Sequence, residues 1–153
     1  MLLEENKAIV RRMIDTYNQR EHFNLDWFDE FIAPNYFDHT NQVGPEGVKQ
    51  LFIMGHKGFP DWHEAIEDII AEGDKVWVRV KCTGTHTGEW NHFGVQFPPT
   101  GKKVTMMMVD IWRIVNGKLV EGSEVDDSLD FLKQLGAIEY TEKGKKLFPE
   151  DAK

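Results

Sequence analysis

Two adjacent aspartates, Asp126 and Asp127, stand where a predicted strand near the C-terminus gives way to a predicted helix. A carboxylate at such a junction can accept a hydrogen bond from the first turn of the helix and cap it. It can instead face a cavity of low polarity, which raises its pKa and makes it a general base. Ser128 and Asp130 suit a capped first turn, so the local sequence leaves both uses of Asp127 open.

Alternation along the strand indicates which neighbours share a face with Asp127. Side chains two residues apart point to the same face of a strand, which groups Asp127 with Val125, Ser123 and, further back, Leu119. If that face lines an interior cavity, Asp127 is partly desolvated and competent as a base. Asp127 is therefore the candidate catalytic residue, with helix capping as the alternative.

A second carboxylate, Asp110, lies in the middle of an apolar strand, on the same predicted face as Met106, Met108 and Trp112. An acid in such surroundings must find a partner or change its protonation state. Pairing with a neighbouring Arg or Lys is the favoured interpretation of Asp110. A place in a pocket wall is the alternative.

Four other side chains are candidates for the wall of a pocket. The Tyr17 hydroxyl, on the buried face of the first predicted helix, could donate to an enolate oxygen, although core packing is favoured. Trp62 and Trp112 belong either to the core or to the pocket wall. His86 follows a predicted strand and could orient a substrate carbonyl or brace Asp127, although a structural role is favoured.

Three predicted helices precede the strands. They cover residues 4–21, 24–32 with Pro34 closing the helix, and 45–56, with the extended piece NYFDHT before the third. A period of two then predicts strands at 63–71, 75–83, Lys103–Val115 and Lys118–Asp126, the last two joined by an Asn116-Gly117 hairpin turn. Between the second and third of these, a short strand around His86 and a loop over FPPTGKK are expected. A last helix, Ser128–Leu135, ends at Gly136.

The order of elements predicts an α+β domain in which helices cover one face of a curved, mostly antiparallel sheet. Such an arrangement forms a cone with a pocket in its open end. The 153 residues fit one domain, residues 1–153, with a core of about residues 1–140 and a loosely held tail at 141–153. Ten Phe, five Trp, three Tyr and six Met are consistent with an aromatic-rich core, which is the favoured interpretation, or with a cavity suited to a flat, apolar ligand.

Composition excludes several classes of function. The net charge of −8 opposes binding of nucleic acid. Cys82 is the single cysteine, so an internal disulfide and a cysteine-based zinc site are excluded. The six histidines show no metal-ligand spacing, so no metal is expected. The sequence contains no signal-like N-terminus and no apolar run of membrane-spanning length, which predicts a cytoplasmic protein without membrane association.

Several motifs, in this order and spacing, match one family along nearly the whole chain. They are ENKAIVRRM, FDHT, GPEGVKQLF, FPDW, EGDKVWVRV, GTHTGE, PPTGKKV, DIWRIVNGKLVE and the closing D-x-L-x-x-L-x-Q-L-G. On these motifs the chain resembles the SnoaL-like polyketide cyclases, also called ester cyclases. The resemblance implies the cone-shaped α+β barrel that these proteins share with ketosteroid isomerase, scytalone dehydratase and nuclear transport factor two.

The resemblance also implies a chemistry. It is an intramolecular aldol cyclisation of an aromatic polyketide ester, without cofactor or metal, in which Asp127 is the acid–base group. The ligand is then a small apolar or aromatic carbonyl compound. His39, in FDHT, is expected to face the cavity, because this region supplies the catalytic carboxylate in ketosteroid isomerase. A histidine that caps or hydrogen-bonds a loop is the alternative. The family commonly forms dimers through the sheet, and the apolar residues predicted on both sheet faces agree with a homodimer or a higher homo-oligomer.

The chain departs from the family pattern at one point of the last strand. Members commonly carry an aromatic residue, often a His-Trp pair, where this chain has Gly122-Ser123. Bulk is therefore expected to be missing from the pocket wall at Ser123, with a change in substrate shape. Two other functions stay open at this stage, an isomerase or dehydratase on the same fold and a non-catalytic ligand-binding or dimerisation module.

Overall fold

Five helices and seven strands form in the computed structural model, which describes residues 2–19 and 23–150. The helices are α1 (Leu2–Tyr17), α2 (Phe28–Phe31), α3 (Pro45–Gly58), α4 (Ser128–Leu135) and α5 (Glu142–Leu147). The strands are β1 (Ile32–Asp38), β2 (His63–Glu72), β3 (Lys75–Thr85), β4 (Trp90–His92), β5 (Val95–Phe97), β6 (Lys103–Val115) and β7 (Lys118–Asp126). None of the helices in these two ranges combines the length and apolar character needed to cross a bilayer.

One mixed sheet of five strands carries the fold, in the order β1-β7-β6-β3-β2. The predicted meander of four antiparallel strands, β2, β3, β6 and β7, is confirmed. β1 is added at the edge, parallel to β7. Because β1 and β2 remain edges, this α+β sheet is curved and open rather than a closed barrel. β4 and β5 form a separate hairpin.

The core lies between the helices and the inner face of the sheet. In β3, Val76, Val78, Val80 and Cys82 are fully buried while the residues between them are exposed. This alternation is what a strand with one covered face requires. Residues of α1 and α2, among them Val10 and Phe28, pack against these side chains and anchor the helices to the sheet.

A β-bulge interrupts the pairing of β6 with β7. Arg113 lies opposite Glu121, whereas the next residue of β6, Ile114, lies opposite Leu119, so β7 contains one extra residue. A bulge shifts the alternation of side chains by one residue. Leu119 is buried, but Val125, which an unbroken period places on the same face, is 68% exposed. The predicted grouping of Asp127 with Leu119 is therefore wrong.

Four predicted elements differ from the structure. The second helix covers only Phe28–Phe31, because Ile32 already begins β1 and Pro34 is accommodated in that edge strand. No strand forms at His86, and the short strands of this region are β4 and β5. The tail contains α5, whose first turn is capped by Thr141 accepting from the backbone N–H of Gly144. α1 ends at Tyr17, and the predicted helix end at residues 20 and 21 lies outside the described residues, as do tail residues 151–153.

Candidate functional site

A cavity of about 300 Å³ opens between the helices and the inner face of the sheet. Its wall is largely apolar and combines aliphatic side chains with the aromatic rings of Tyr17, Trp27, Tyr36, Phe52, Phe59, Trp62, Trp90, Trp112 and Phe131. The size and the apolar wall are those of a small-molecule site. Flat rings on several sides favour a flat ligand.

Five carboxyl side chains interrupt this apolar wall. They are Asp38 from β1, Glu64 from β2, Asp110 from β6, and Glu124 and Asp126 from β7. Among the described residues, no Lys or Arg lines the cavity, and His92 from β4 is the one histidine that does. The polar part of the cavity is therefore acidic, and it lies mainly on β6 and β7.

Asp110 and Glu124 lie directly opposite each other on β6 and β7. Burial raises the pKa of Asp110 well above its ordinary value, and the neighbouring carboxylates Glu64 and Glu124 raise it further. Burial likewise raises the pKa of Glu124, with a contribution from Asp38. Two carboxyls on facing positions of one sheet face do not readily ionise together, so the charge of Glu124 favours the protonated form of Asp110.

The loop after β1 orients Glu124. The Asn41 side-chain amide donates to Glu124 Oε1 at 3.3 Å and to Asp38 Oδ2 at 2.9 Å. The backbone N–H of Glu124 donates to Thr40 Oγ1 at 2.8 Å. The hydrogen bond from Asn41 favours the ionised form of Glu124 and opposes the effect of burial on its pKa. Glu124 is thus a fixed carboxylate with a raised pKa, which is the property of a general base.

Tyr36 occupies the space beside Gly122. A Cβ atom at Gly122 would lie 1.9 Å from the Tyr36 hydroxyl oxygen, so only glycine fits there. The bulk expected to be missing at Gly122-Ser123 is supplied from β1 by Tyr36 instead. Burial, and then the charges of Asp38 and Asp110, raise the pKa of Tyr36, which keeps its hydroxyl neutral.

Asp127 caps α4 and does not line the cavity. Its Oδ1 accepts from the backbone N–H of Asp130 at 3.1 Å, and the residue is exposed. Its neighbour Asp126 lies in the cavity wall and accepts a hydrogen bond from the Ser128 hydroxyl. The bulge in β7 explains why Asp126, and not Asp127, lines the cavity. It shifts the alternation by one residue, so Glu124 and Asp126 point inward, whereas an unbroken alternation would point Asp127 inward.

The two candidate histidines lie outside the cavity. His39 is exposed, with its Nε2 at 3.4 Å from Glu121 Oε2, and its neighbour Asp38 faces the cavity instead. His86 is fully buried against the Phe59 ring, and its Nδ1 lies 3.1 Å from Thr100 Oγ1. His86 therefore has a structural position, and burial lowers its pKa.

The other candidates lie in the cavity wall, namely Tyr17, Trp62, Asp110, Trp112 and Ser123. The favoured pairing of Asp110 with a Lys or Arg is wrong for the described part of the chain, where no ion pair involves Asp110. Sequence reasoning missed Tyr36, Glu64, Glu124, Asp126 and His92. The alternation of Glu124 with Asp126 at the end of this strand was the available signal for two of them. Within residues 2–19 and 23–150, no group of His, Cys, Asp and Glu is arranged to hold a metal ion.

Comparison with known proteins gives one consistent result at the level of sequence. The family described as SnoaL-like polyketide cyclase matches residues 7–135. The aklanonic acid methyl ester cyclase DauD of Streptomyces sp. (strain C5) is 29% identical over 133 residues, covering 84% of this chain and 80% of that protein. The nogalonic acid methyl ester cyclase of Streptomyces nogalater is 29% identical over 118 residues, covering 72% and 84%.

Solved structures give the same fold. AclR of Streptomyces galilaeus, whose suggested activity is that of a hydroxylase, superposes with a TM-score of 0.78 and 28% identity, over 97% of this chain and 92% of that one. IdmH of Streptomyces antibioticus, whose suggested activity is that of a polyketide cyclase, superposes with a TM-score of 0.71 and 26% identity, over 86% and 98%. The fold is shared between proteins with different suggested chemistries, so the activity has to be argued from the site.

Proposed function

Because this chain belongs to the SnoaL-like polyketide cyclase family, we propose that it catalyses the intramolecular aldol cyclisation of an aromatic or polycyclic carbonyl ester. One observation carries the proposal. An oriented, half-buried carboxylate, Glu124, stands opposite a buried carboxyl, Asp110, in the wall of a cavity with many aromatic rings. The methyl ester cyclases among the relatives support the ester as substrate class. The acid–base role first considered for Asp127 is thereby assigned to Glu124.

Glu124 begins the reaction by removing a proton from a carbon flanked by two carbonyls. The electron pair left on that carbon attacks a second carbonyl carbon of the same molecule, which forms the new C–C bond and leaves an alkoxide. The protonated Glu124 then returns the proton to the alkoxide. Atoms and electrons balance within one molecule, so the product is an isomer of the substrate, and one carboxyl serves first as base and then as acid.

Tyr36 is the group that we assign to the developing oxyanion. Its hydroxyl lies beside Gly122, one inward-facing position along β7 from Glu124. The Trp112 indole, which can only donate, hydrogen-bonds the Tyr36 oxygen, and this leaves the hydroxyl proton of Tyr36 available to a ligand. A buried neutral donor stabilises an enolate oxygen more in a cavity of low polarity than in water. The raised pKa of Tyr36 keeps that donor protonated throughout the working range.

The aromatic wall supplies the remaining part of the catalysis. A flexible substrate must fold so that its enolate carbon meets the second carbonyl at about 3–3.5 Å, a near-attack geometry that a shaped cavity can impose. Trp62, Trp90 and Trp112 are placed to hold the aromatic part of the substrate while the chain closes. Water that is displaced from the cavity no longer competes for the proton on Glu124.

A panel of aromatic methyl esters that carry β-dicarbonyl side chains tests the proposed reaction. We expect at least one of them to be converted into a product of unchanged mass and different retention, faster than in buffer. Deuterium uptake from D₂O without ring closure would instead assign proton transfer alone, as in an isomerase. Compounds that bind and raise the melting temperature but are neither exchanged nor cyclised would assign a binding module and contradict the proposal.

We also propose that the protein is a homodimer formed through the outer face of the sheet. Ile70, Trp77, Met107 and Val125 are exposed on β2, β3, β6 and β7. The face that they form lies opposite the helices and is apolar enough to need a partner.

Sedimentation at micromolar concentration is expected to give the mass of a dimer, and Trp77→Asp is expected to give a monomer. Glu124 and Tyr36 lie on the other face of the sheet, so the variant should keep its ligand binding. A parent protein that sediments as a monomer would exclude the dimer.

A further inference from the structure

Asp110 is one of the four cavity carboxyls that the proposed reaction leaves without a task. It is 6% exposed and lines the cavity, and what acts on it among the described residues is burial and the charges of neighbouring carboxyls, with no hydrogen-bond donor. The other four cavity carboxyls each accept a hydrogen bond from the protein. The donors are Asn41 to Asp38 and Glu124, Trp62 to Glu64, and Ser128 to Asp126. A buried carboxyl without a hydrogen-bond donor destabilises the folded protein, so a ligand that supplies a donor to Asp110 would be bound favourably.

The groups around Asp110 show what kind of partner is missing. Four carboxyls surround it: Glu64 on β2, Glu124 and Asp126 on β7, and Asp38 on β1. The Tyr36 hydroxyl of β1 and the Cys82 thiol of β3 are also close to it. His92 lies across the cavity. Burial lowers the pKa of His92, which keeps it neutral. The described surroundings therefore hold several negative groups and no fixed positive one.

The cavity wall near Asp110 also suits a positive charge. The Trp112 side chain is the next one along the inner face of β6, and Tyr36 lies beside it over Gly122. A cation over the face of an indole or phenol ring is attracted by the electrons of the ring, most strongly where water is excluded. A carboxylate with flanking aromatic rings is a usual arrangement for binding an organic ammonium group.

We propose that the cavity selects ligands that carry a protonated amine, which Asp110 binds through a charge-assisted hydrogen bond. The substrate class of the proposed cyclisation is then an aromatic carbonyl compound with an amine on the part of the molecule that lies against β6. This inference uses the same cavity and rests on the proposed function for its reaction. The binding preference itself is measured without turnover. Glu124 remains the base, and Tyr36 remains the donor to the oxyanion.

Proton exchange follows from this assignment. In the free protein, burial and the neighbouring carboxylates raise the pKa of Asp110 and so favour its protonated form. An ammonium group favours the ionised form of Asp110, so binding releases that proton to the solvent. Affinity for the amine therefore increases with pH, by up to roughly tenfold per pH unit while Asp110 of the free protein is still protonated. A neutral ligand of the same shape shows no such dependence.

Three probes with one ring system separate charge from shape: 2-naphthylmethylamine, 2-naphthalenemethanol and 2-naphthoate. Calorimetric titrations between about pH 6 and pH 8, where the amine stays protonated, are expected to show the amine binding at least roughly tenfold more tightly than the alcohol at the upper end. Naphthoate should bind more weakly than either. Titrations in two buffers of different ionisation enthalpy should show release of close to one proton with the amine and none with the alcohol.

Asp110→Asn is the decisive variant. It should bind the alcohol as the parent does, which also shows that it is folded, and it should lose both the preference for the amine and the proton release. Asp127→Asn, which changes a carboxyl outside the cavity, should keep both. The inference is overturned if naphthoate binds as tightly as the amine, if the preference survives Asp110→Asn, or if none of the probes binds. Cyclisation of neutral esters with no amine preference would remove this inference and leave the proposed reaction intact.

Discussion

Replacing Glu124 by glutamine is expected to lower turnover by roughly two to four orders of magnitude, the usual contribution of a general base. Gln keeps the length of the side chain and can still hydrogen-bond Asn41, but it cannot accept the proton. Turnover of the parent should rise with pH as Glu124 ionises. Because burial raises the pKa of this carboxyl, the rise should occur at a higher pH than for an ordinary glutamate. The measurement is kcat/KM against pH for the parent and the variant, with the ester that cyclises.

The stability of the same variant has an expected sign. The pKa of Glu124 is raised on folding, so the folded protein binds its proton more tightly than the unfolded chain does. Its contribution is present below the unfolded pKa and is lost as pH rises through the folded pKa. Gln lacks this titration. Urea denaturation should therefore show that Glu124→Gln loses less stability than the parent as pH rises. Loss of activity without loss of stability distinguishes a catalytic group from a structural one.

Asp127→Asn is the matched control, because Asp127 lies at the end of the same strand but outside the cavity. Asn caps a helix about as well as Asp, so stability and turnover should both stay close to those of the parent. Asp127→Ala should cost about 1 kcal/mol through loss of the cap and still leave turnover unchanged. If Asp127→Asn abolishes activity and Glu124→Gln does not, the acid–base role belongs to Asp127 and our assignment is wrong.

Gly122→Ala is expected to destabilise the protein by at least about 1–3 kcal/mol, as overpacking of a filled interior does. The added methyl carbon would lie 1.9 Å from the Tyr36 hydroxyl oxygen and 3.0 Å from Trp112 Cδ1. Tyr36 cannot move away easily, because it is buried among core side chains. The free energy of unfolding, measured in urea, gives the size of the effect.

A second substitution tests this explanation. Tyr36→Phe removes the oxygen atom that meets the new methyl group, so Gly122→Ala should cost less in the Tyr36→Phe variant than in the parent. Rescue should be partial, since the ring carbon Cζ at position 36 and Trp112 Cδ1 would still lie 3.0 Å from the new atom. Gly55→Ala is the control. Gly55 lies in α3, and a methyl carbon added there would meet no neighbouring side chain or loop within 4 Å, so this substitution should stabilise the protein by about 0.5–1 kcal/mol. Equal costs in both backgrounds would show that the Tyr36 hydroxyl is not the obstacle.

The sequence by itself determined the elements whose signals are local. β6, β7 and α4 have the predicted bounds, and the Asn116-Gly117 turn connects the two strands. Both turn residues adopt positive φ, as does Gly136 after α4, and these are conformations that Asn and Gly adopt at low cost. A period of two, a turn dipeptide and a C-terminal glycine each act within a few residues, so they can be identified without knowledge of the fold. The family followed from motifs of the same kind.

Tertiary structure decided which side chains form the site. The bulge between Arg113 and Ile114 depends on how β6 pairs with β7, and no pattern within β7 alone reveals it. That single extra residue places Glu124 inside and leaves Asp127 as a helix cap. Tyr36 meets Gly122 because β1 returns parallel to β7. The raised pKa of Asp110 has the same origin, because the carboxyls around it come from three other strands that only folding brings together.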